Sequence, residues 1–360
     1  MHASALLQIL DLARWAPSGD NTQPWRFELL SERHFRIHGH DTRDAVVYDL
    51  DGHPSQLSIG ALIETASIAA TAHGLALASQ RQADAPETHP LFDIRLEPQA
   101  NLPRSPLVEY IPQRCVQRKP MPRTPLTAEQ RQALEQAVGP GYRVHWVDSS
   151  AGRSAMAKLL FDSAKIRLTI PEAFEVHRSV IAWGARFSRD KVPSGALGVD
   201  AASTAMMRFA LQSWPRVQRM NRFAAGTVLP RIQMDWLPGL CCAGHAAILA
   251  DKAPATIDDY VEGGRAMQRF WLTATALGLN HQPELTPLIF CRYIREGRRF
   301  SAEPAAWQQA ERLAPRLDAL LGGASTHAVW LGRVGAGPRA RARSERRPLS
   351  ELIISPPAPA

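Results

Sequence analysis

The chain has 360 residues, 45% of them hydrophobic and 21% charged, which is enough to bury a sizeable core and build about two units of domain size. That excludes a disordered segment or a disulfide-stapled peptide; the four cysteines, Cys115, Cys241, Cys242 and Cys291, show no C-x-x-C spacing, so no cysteine zinc site is readable and a reducing, cytoplasmic setting is expected. A formal net charge of +8 suits anionic ligands, without choosing between nucleic acid and a phosphorylated small molecule.

The segment Ala5 to Ala16 places Leu6, Ile9, Leu10, Ala13 and Ala16 on one helical face. No basic region, apolar block and cleavage site precede it in succession, so export is not expected. Pro17-Ser18-Gly19-Asp20-Asn21 then breaks the period, and Trp25-Arg26-Phe27-Glu28-Leu29 alternates like a half-buried strand. The polar loop between them is positioned to display its backbone to a ligand. Leu57 to Gly74 reads as a helix with Gly74 as its C-cap, and Leu91 to Leu96 as a strand. Seven prolines between Pro98 and Pro125 punctuate a long connection that marks the boundary between halves. Thr127-Ala128-Glu129-Gln130 resembles a capping box, Tyr142 to Val147 a strand, and Ala328 to Leu331 another. The weakly polar stretch from Gly239 to Ala250, interrupted by His245, is far short of the roughly 20 residues that cross a bilayer.

A weak internal repeat relates the halves. Gly60 to Leu75 aligned on Gly264 to Leu279 pairs Gly60 with Gly264, and both copies end in Gly-Leu. The first copy keeps the polar loop Pro17 to Pro24 before its strand, where the second has only Gly139-Pro140-Gly141. A ligand at the interface of two such units would therefore find the parts of one site rather than two.

Arg114-Cys115-Val116-Gln117-Arg118 sets two guanidinium groups four residues apart, on one face if the segment is a helical turn. The pair suits a phosphate bidentately, or is a solvated basic linker. Arg339, Arg341, Arg343, Arg346 and Arg347 crowd the C-terminal region without interleaved aromatics, which argues against nucleic acid. His38-Gly39-His40-Asp41 has no matched distant ligand and reads as a surface loop rather than a metal site. Ser18 lacks a nucleophile elbow, and Cys241-Cys242 sits in an apolar run as core material.

The run Leu12-Ala13-Arg14-Trp15-Ala16-Pro17-Ser18-Gly19-Asp20-Asn21-Thr22-Gln23-Pro24-Trp25-Arg26-Phe27 resembles the signature of the FMN-dependent nitroreductase superfamily. Leu57-Ser58-Ile59-Gly60-Ala61, Gly264-Arg265-Ala266-Met267 and Arg346-Arg347-Pro348-Leu349 support it. The likeness implies an α+β fold, here a fused pseudo-dimer: residues 1–105 as a first lobe and 106–360 as a second, with an inserted segment at about 165–235 and an Arg-rich C-terminal extension. The fused subgroup includes members assigned to molybdopterin biosynthesis and members that sequester flavin.

By the same likeness, Arg114, Arg118 and Arg346 or Arg347 hold the FMN phosphate, with Val116 standing where the family has a serine. Pro17, Ser18, Gly19 and Asn21 contact the ring system, and the backbone of Pro283, Glu284 and Leu285 lies near the reactive N5. No side chain is expected to be catalytic, because the flavin carries the chemistry. NAD(P)H is the expected reductant, and a nitro, quinone or other conjugated compound the expected acceptor. The alternative is an FMN storage protein with little turnover, which a permanently closed insertion would produce. A monomeric pseudo-dimer and a homodimer are both compatible with these expectations, with no nucleic acid, membrane or metal.

Overall fold

The computed structural model describes residues 4–223 and 226–354. Helix α1 (Ala5–Ala13) forms where the period predicts it: the Ser4 hydroxyl accepts from the Leu7 amide, and Leu6, Ile9, Leu10 and Ala13 are buried. Strands β1 (Trp25–Ser31) and β2 (His34–Gly39), the long helix α2 (His53–Thr71), and strands β3 (Leu75–Arg81) and β4 (Leu91–Pro98) follow. The four strands pair antiparallel in the order β1-β2-β4-β3.

Beyond the proline-rich connection, α3 (Ala128–Ala137) starts at Thr127 with both hydrogen bonds of the capping box in place. Strand β5 (Tyr142–Val147) and helices α4 (Ser150–Thr169) and α5 (Pro171–Val180) follow. Next come the short strands β6 (Ile181–Ala182), β7 (Phe187–Ser188) and β8 (Val192–Pro193), then α6 (Ala201–Ala210), α7 (Trp214–Phe223) and α8 (Val228–Arg231). A π-helical turn, Ile232–Trp236, leads into α9 (Leu237–Leu240). The remaining elements are β9 (Gly244–Ala250), α10 (Ile257–Ala276), β10 (Asn280–Pro283), α11 (Thr286–Arg295), α12 (Pro304–Leu320), β11 (Ala328–Gly335), β12 (Arg343–Ser344), α13 (Leu349–Leu352) and β13 (Ile353–Ile354). A second antiparallel sheet runs β10-β11-β9-β5, and every residue of β9 and β11 is buried, as suits strands covered on both faces. The architecture is α+β.

Helices α2 and α10 form the centre of the molecule. From Ser55 to Ala66 every residue of α2 is buried, which is the environment of a helix surrounded by protein rather than one lying on a surface. The two helices touch through glycine. A Cβ on Gly60 would lie 1.9 Å from the Val261 carbonyl oxygen, and one on Gly264 would lie 2.1 Å from that of Leu57. The positions that the internal repeat aligns are thus each other's counterparts at one backbone-to-backbone crossing. Polar links flank it: Glu64 accepts from Arg265 Nε at 2.9 Å, and Gln268 donates to Thr65 Oγ1 at 2.9 Å.

Three expectations need correction. The Arg114–Arg118 segment is extended, with Val116 bridged in parallel to His281, because the backbone is engaged by the second sheet instead of coiling on itself. Position 165, expected to open an inserted segment, lies inside α4, which continues unbroken to Thr169 with Ile166 packed into the core. The last strand does not stay with the C-terminal half: β13 pairs in parallel with β1, Phe27 opposite Ile353, next to the fully buried Leu352.

No described helix is long and apolar enough to cross a membrane. Among the described residues no group of three or more His, Cys, Asp or Glu side chains could hold a metal ion. His38 instead meets Glu28 at 2.8 Å from within β2.

Candidate functional site

The loop after α1 holds three of the four non-glycine residues with positive φ among the described residues. Asp20, Asn21 and Gln23 have φ of 46°, 64° and 52°, all in the left-handed region, and none is glycine. Cross-links hold them there. The Ser18 hydroxyl accepts from the Gln23 amide at 3.0 Å, Gln23 Nε2 donates to the Asn21 and Arg189 carbonyls, and Gln23 Oε1 accepts from the Arg347 amide at 2.9 Å. One buried glutamine therefore ties the loop to the β7–β8 connection and to the C-terminal region.

This loop forms one wall of a cavity of about 350 Å³, within the range of small-molecule sites. The opposite wall is the extended segment Arg114 to Arg118, the β10–α11 turn from Gln282 to Pro287, and β11 through Trp330 and Arg333. Of the residues expected from sequence, Pro17, Ser18, Gly19, Asn21, Arg114, Arg118, Pro283, Glu284, Leu285 and Arg346 all line it. Arg347 does not: its guanidinium turns toward Asp190 and Glu351, at 3.6 and 3.7 Å.

Arg114, Arg343 and Arg346 all line the cavity and lie close enough to repel one another. Their hydrogen bonds go to main-chain carbonyls: Arg114 to Trp15 at 2.9 Å, Arg343 to Pro112 at 2.8 Å and Arg346 to Ala16 at 2.9 Å. Such bonds fix the forks but leave their charge uncompensated. Arg114 also lies over the Trp271 ring, 4.4 Å from its centroid. Burial, with Arg343 close by, pushes Arg114 down to about 9. Burial, with Arg114 and Arg343 beside it, likewise holds Arg346 well below the ordinary arginine range. Among the described residues none of the three makes a salt bridge, and the buried Nε atoms of Arg114 and Arg343 lack partners. Grouped like charges without a salt-bridged carboxylate are costly unless an anion joins them.

Elsewhere in the lining, Glu284 is held between two cations. His245 Nδ1 lies 2.7 Å from Glu284 Oε2, and Arg333 donates to Oε1 at 2.8 Å. Burial opposes both charges, but His245 and Arg333 keep the carboxyl below its usual range. For His245, burial is outweighed by Glu284, which carries the imidazole up to about 10. Asn21 Oδ1 and Gln282 Oε1 are buried without hydrogen-bond partners on this cavity.

A third polar group lines the cavity where α4, α5 and the π-helical turn meet. Arg167 donates to both oxygens of Asp235, at 3.0 and 2.8 Å, from α4 to the π-helical turn. Tyr48 and His177 are hydrogen-bonded at 3.1 Å, and burial beside Arg167 lowers His177 to about 3, so its imidazole is neutral. Arg118 belongs to this side, donating to the Ala196 carbonyl at 3.2 Å, and Asp20 faces it; burial raises the Asp20 carboxyl against the pull of Arg118 and Arg167.

Sequence reasoning did not single out Arg343, Asp20, Tyr48, Arg167, His177 or Asp235. Asp20 carried a local signal, being flanked by Gly19 and Asn21 in a loop that demands left-handed backbone. The others meet only through long-range folding.

No protein-family model matches the sequence, and no curated protein matches it. Among solved structures, a nitroreductase-like family protein from Bacillus cereus aligns at 12% identity over 69% of this chain and 94% of its own, with a TM-score of 0.35. A nitroreductase with bound FMN from Bacteroides fragilis aligns at 10% identity over 65% and 89%, with a TM-score of 0.34. An FMN-dependent nitroreductase from Mycobacterium smegmatis in complex with NADPH aligns at 16% identity over 68% and 94%, also with a TM-score of 0.34.

Proposed function

We propose that the chain binds FMN in the 350 Å³ cavity and acts as an oxidoreductase, taking reducing equivalents from NAD(P)H and passing them to a small conjugated acceptor such as a quinone or nitro compound. The observation that carries the reading is the cluster Arg114, Arg343 and Arg346, three neighbouring cations without a salt-bridge partner on the wall of one cavity, beside the apolar surface of Trp271, Leu57 and Met267. In this reading Arg343 takes the place beside Arg114 and Arg346 that sequence alone gave to Arg118 or Arg347.

The donor set fits the group. The three guanidinium forks suit the phosphate. Asn21 Oδ1 and Gln282 Oε1 are acceptors without partners, available to the polar edge of a ring, and Trp271, Trp330, Leu57 and Met267 supply flat and apolar surface. When bound, the flavin supplies reversible two-electron chemistry. The chain's own part is to orient and to exclude water. Glu284, pinned by His245 and Arg333, fixes a negative charge beside the Pro283–Leu285 backbone.

A second reading, storage of FMN, is favoured by one observation. The inserted segment is stitched to both ligand-facing loops: Asn21 Nδ2 donates to the Lys191 carbonyl at 3.4 Å and Ser344 Oγ to the same oxygen at 3.0 Å. Steady-state NAD(P)H oxidation by the FMN-loaded protein with quinone and nitroaromatic acceptors separates the two. Turnover supports the oxidoreductase; full FMN occupancy with no oxidation leaves storage.

A further inference from the structure

A second cavity, of about 190 Å³, opens from the first beneath the inserted segment. The two share Asp20, Arg118, Arg167, His177, Val192 and Met234 as common wall, a polar throat between a ligand cavity and a deeper chamber. Past the throat the chamber changes character. Leu197 and Ile181 come from the core of the insertion, Met207 and Leu211 from α6 and its C-cap, and Val217 and Met220 from α7; among the described residues no further charged side chain lines it. Asn221, also in the wall, is satisfied by the Leu168 carbonyl at 3.1 Å.

We infer that this chamber is a subsite for an apolar, uncharged arm of the acceptor, and that the acceptor is a neutral conjugated ring carrying such an arm. The inference rests on the oxidoreductase reading and names its substrate class. Three observations carry it. The first is size: a dry interior void of about 150 Å³ takes one benzene ring, so 190 Å³ holds a ring or a chain of roughly six heavy atoms at about 30 Å³ each. The second is charge. Each throat cation already faces a carboxylate, Arg167 paired to Asp235 and Arg118 beside Asp20, and His177 is neutral, so the throat has no spare charge for an anion. A charged arm would then be desolvated without a partner. The third is adaptability: Met207, Met220 and Met234 conform to varied apolar shapes, and α7 has no fully buried residue to stiffen it.

The test is the affinity of naphthoquinones bearing a methyl, propyl or hexyl arm, or a hexyl arm ending in a carboxylate, read by quenching of tryptophan fluorescence from the cavity residues Trp271 and Trp330. It is run on flavin-loaded and on flavin-free protein. Complete transfer would tighten binding about fourfold per methylene, and an overall gain of at least about tenfold from methyl to hexyl is expected. The terminal carboxylate should abolish the gain. Ala210→Trp and, on the facing helix, Val217→Trp should each reduce the hexyl advantage to within about twofold, leaving the methyl compound unchanged. Circular dichroism shows which variant is folded, and either one suffices. A flat series in the wild type, tighter binding of the carboxylate arm, or an undiminished hexyl advantage in a folded variant overturns the inference. Arm dependence without flavin binding sinks the flavin reading alone, whereas flavin binding with a flat series sinks the chamber alone.

Discussion

Gly60→Ala and Gly264→Ala test whether the centre of the molecule is one backbone-to-backbone crossing. A methyl group on Gly60 would sit 1.9 Å from the Val261 carbonyl oxygen, and its counterpart on Gly264 would sit 2.1 Å from that of Leu57. Neither obstacle is a side chain that can rotate away, so α2 and α10 must part by about 1 Å before the contact is tolerable. A gap of that size forfeits a quarter to a half of the dispersion energy along the seam. Overpacking of this kind costs about 3 kcal/mol, and the helix preference of alanine over glycine returns about 1 kcal/mol. Each single variant should thus lose about 2 kcal/mol. Once one methyl has separated the helices the second meets less resistance, so the double variant should lose at least about 1 kcal/mol less than the sum. Urea unfolding followed by circular dichroism and tryptophan fluorescence measures this, provided the two probes coincide. Losses under about 0.5 kcal/mol, or strict additivity, would refute the shared crossing.

The arginine cluster should be costly to the flavin-free protein and favourable to the complex. Arg346→Met is expected to leave the flavin-free melting temperature unchanged or raised while weakening FMN binding tenfold to a hundredfold, about the worth of a charged hydrogen bond. Arg114→Ala should weaken it similarly; FMN titration followed by fluorescence quenching checks both. Alkaline pH should also be destabilising. The folded pKa of His245, about 10, lies above its ordinary 6.5, so the stability it contributes is full below pH 6.5 and wanes as pH climbs toward 10. Arg114, titrating near 9, acts in the opposite sense above that value, so urea midpoints are compared from pH 6.5 to 9. Glu284→Gln should flatten their decline. On the acid side, His177 and His281 are both lowered to about 3, so their contribution is complete above pH 6.5 and is lost on the way down. His177→Phe should shallow the acid limb of the same curve.

What could be read from sequence were features written in neighbouring residues. The face of α1, the capping box at Thr127 and the left-handed loop each need only a few consecutive positions, and each keeps its local logic in the fold. Gly60 and Gly264 were legible because a repeat pairs them. The alternation of His34 to Gly39 was equally local, yet His38 was read with Gly39-His40-Asp41 as part of a surface loop rather than as the end of a strand whose alternate residues are buried. Other features depend on partners far away. Arg343 is distinguished from Arg347 only because β12 pairs with β7 and aims one of them inward. His245 looked like an interruption in an apolar run until β9 brought it to Glu284, 39 residues later in the chain. The chamber depends on helices packed over a throat whose members come from six separate elements or loops, and no spacing in the sequence encodes that.

The claim that Arg114, Arg343 and Arg346 form a phosphate seat is tested most directly by titrating the flavin-free protein in parallel with FMN and riboflavin, which differ only in the phosphate. The account predicts that one FMN binds per chain, at least about a hundredfold tighter than riboflavin, as two or more charged hydrogen bonds at about 1.5 kcal/mol each require. Equal affinities, or no binding of either, would contradict it.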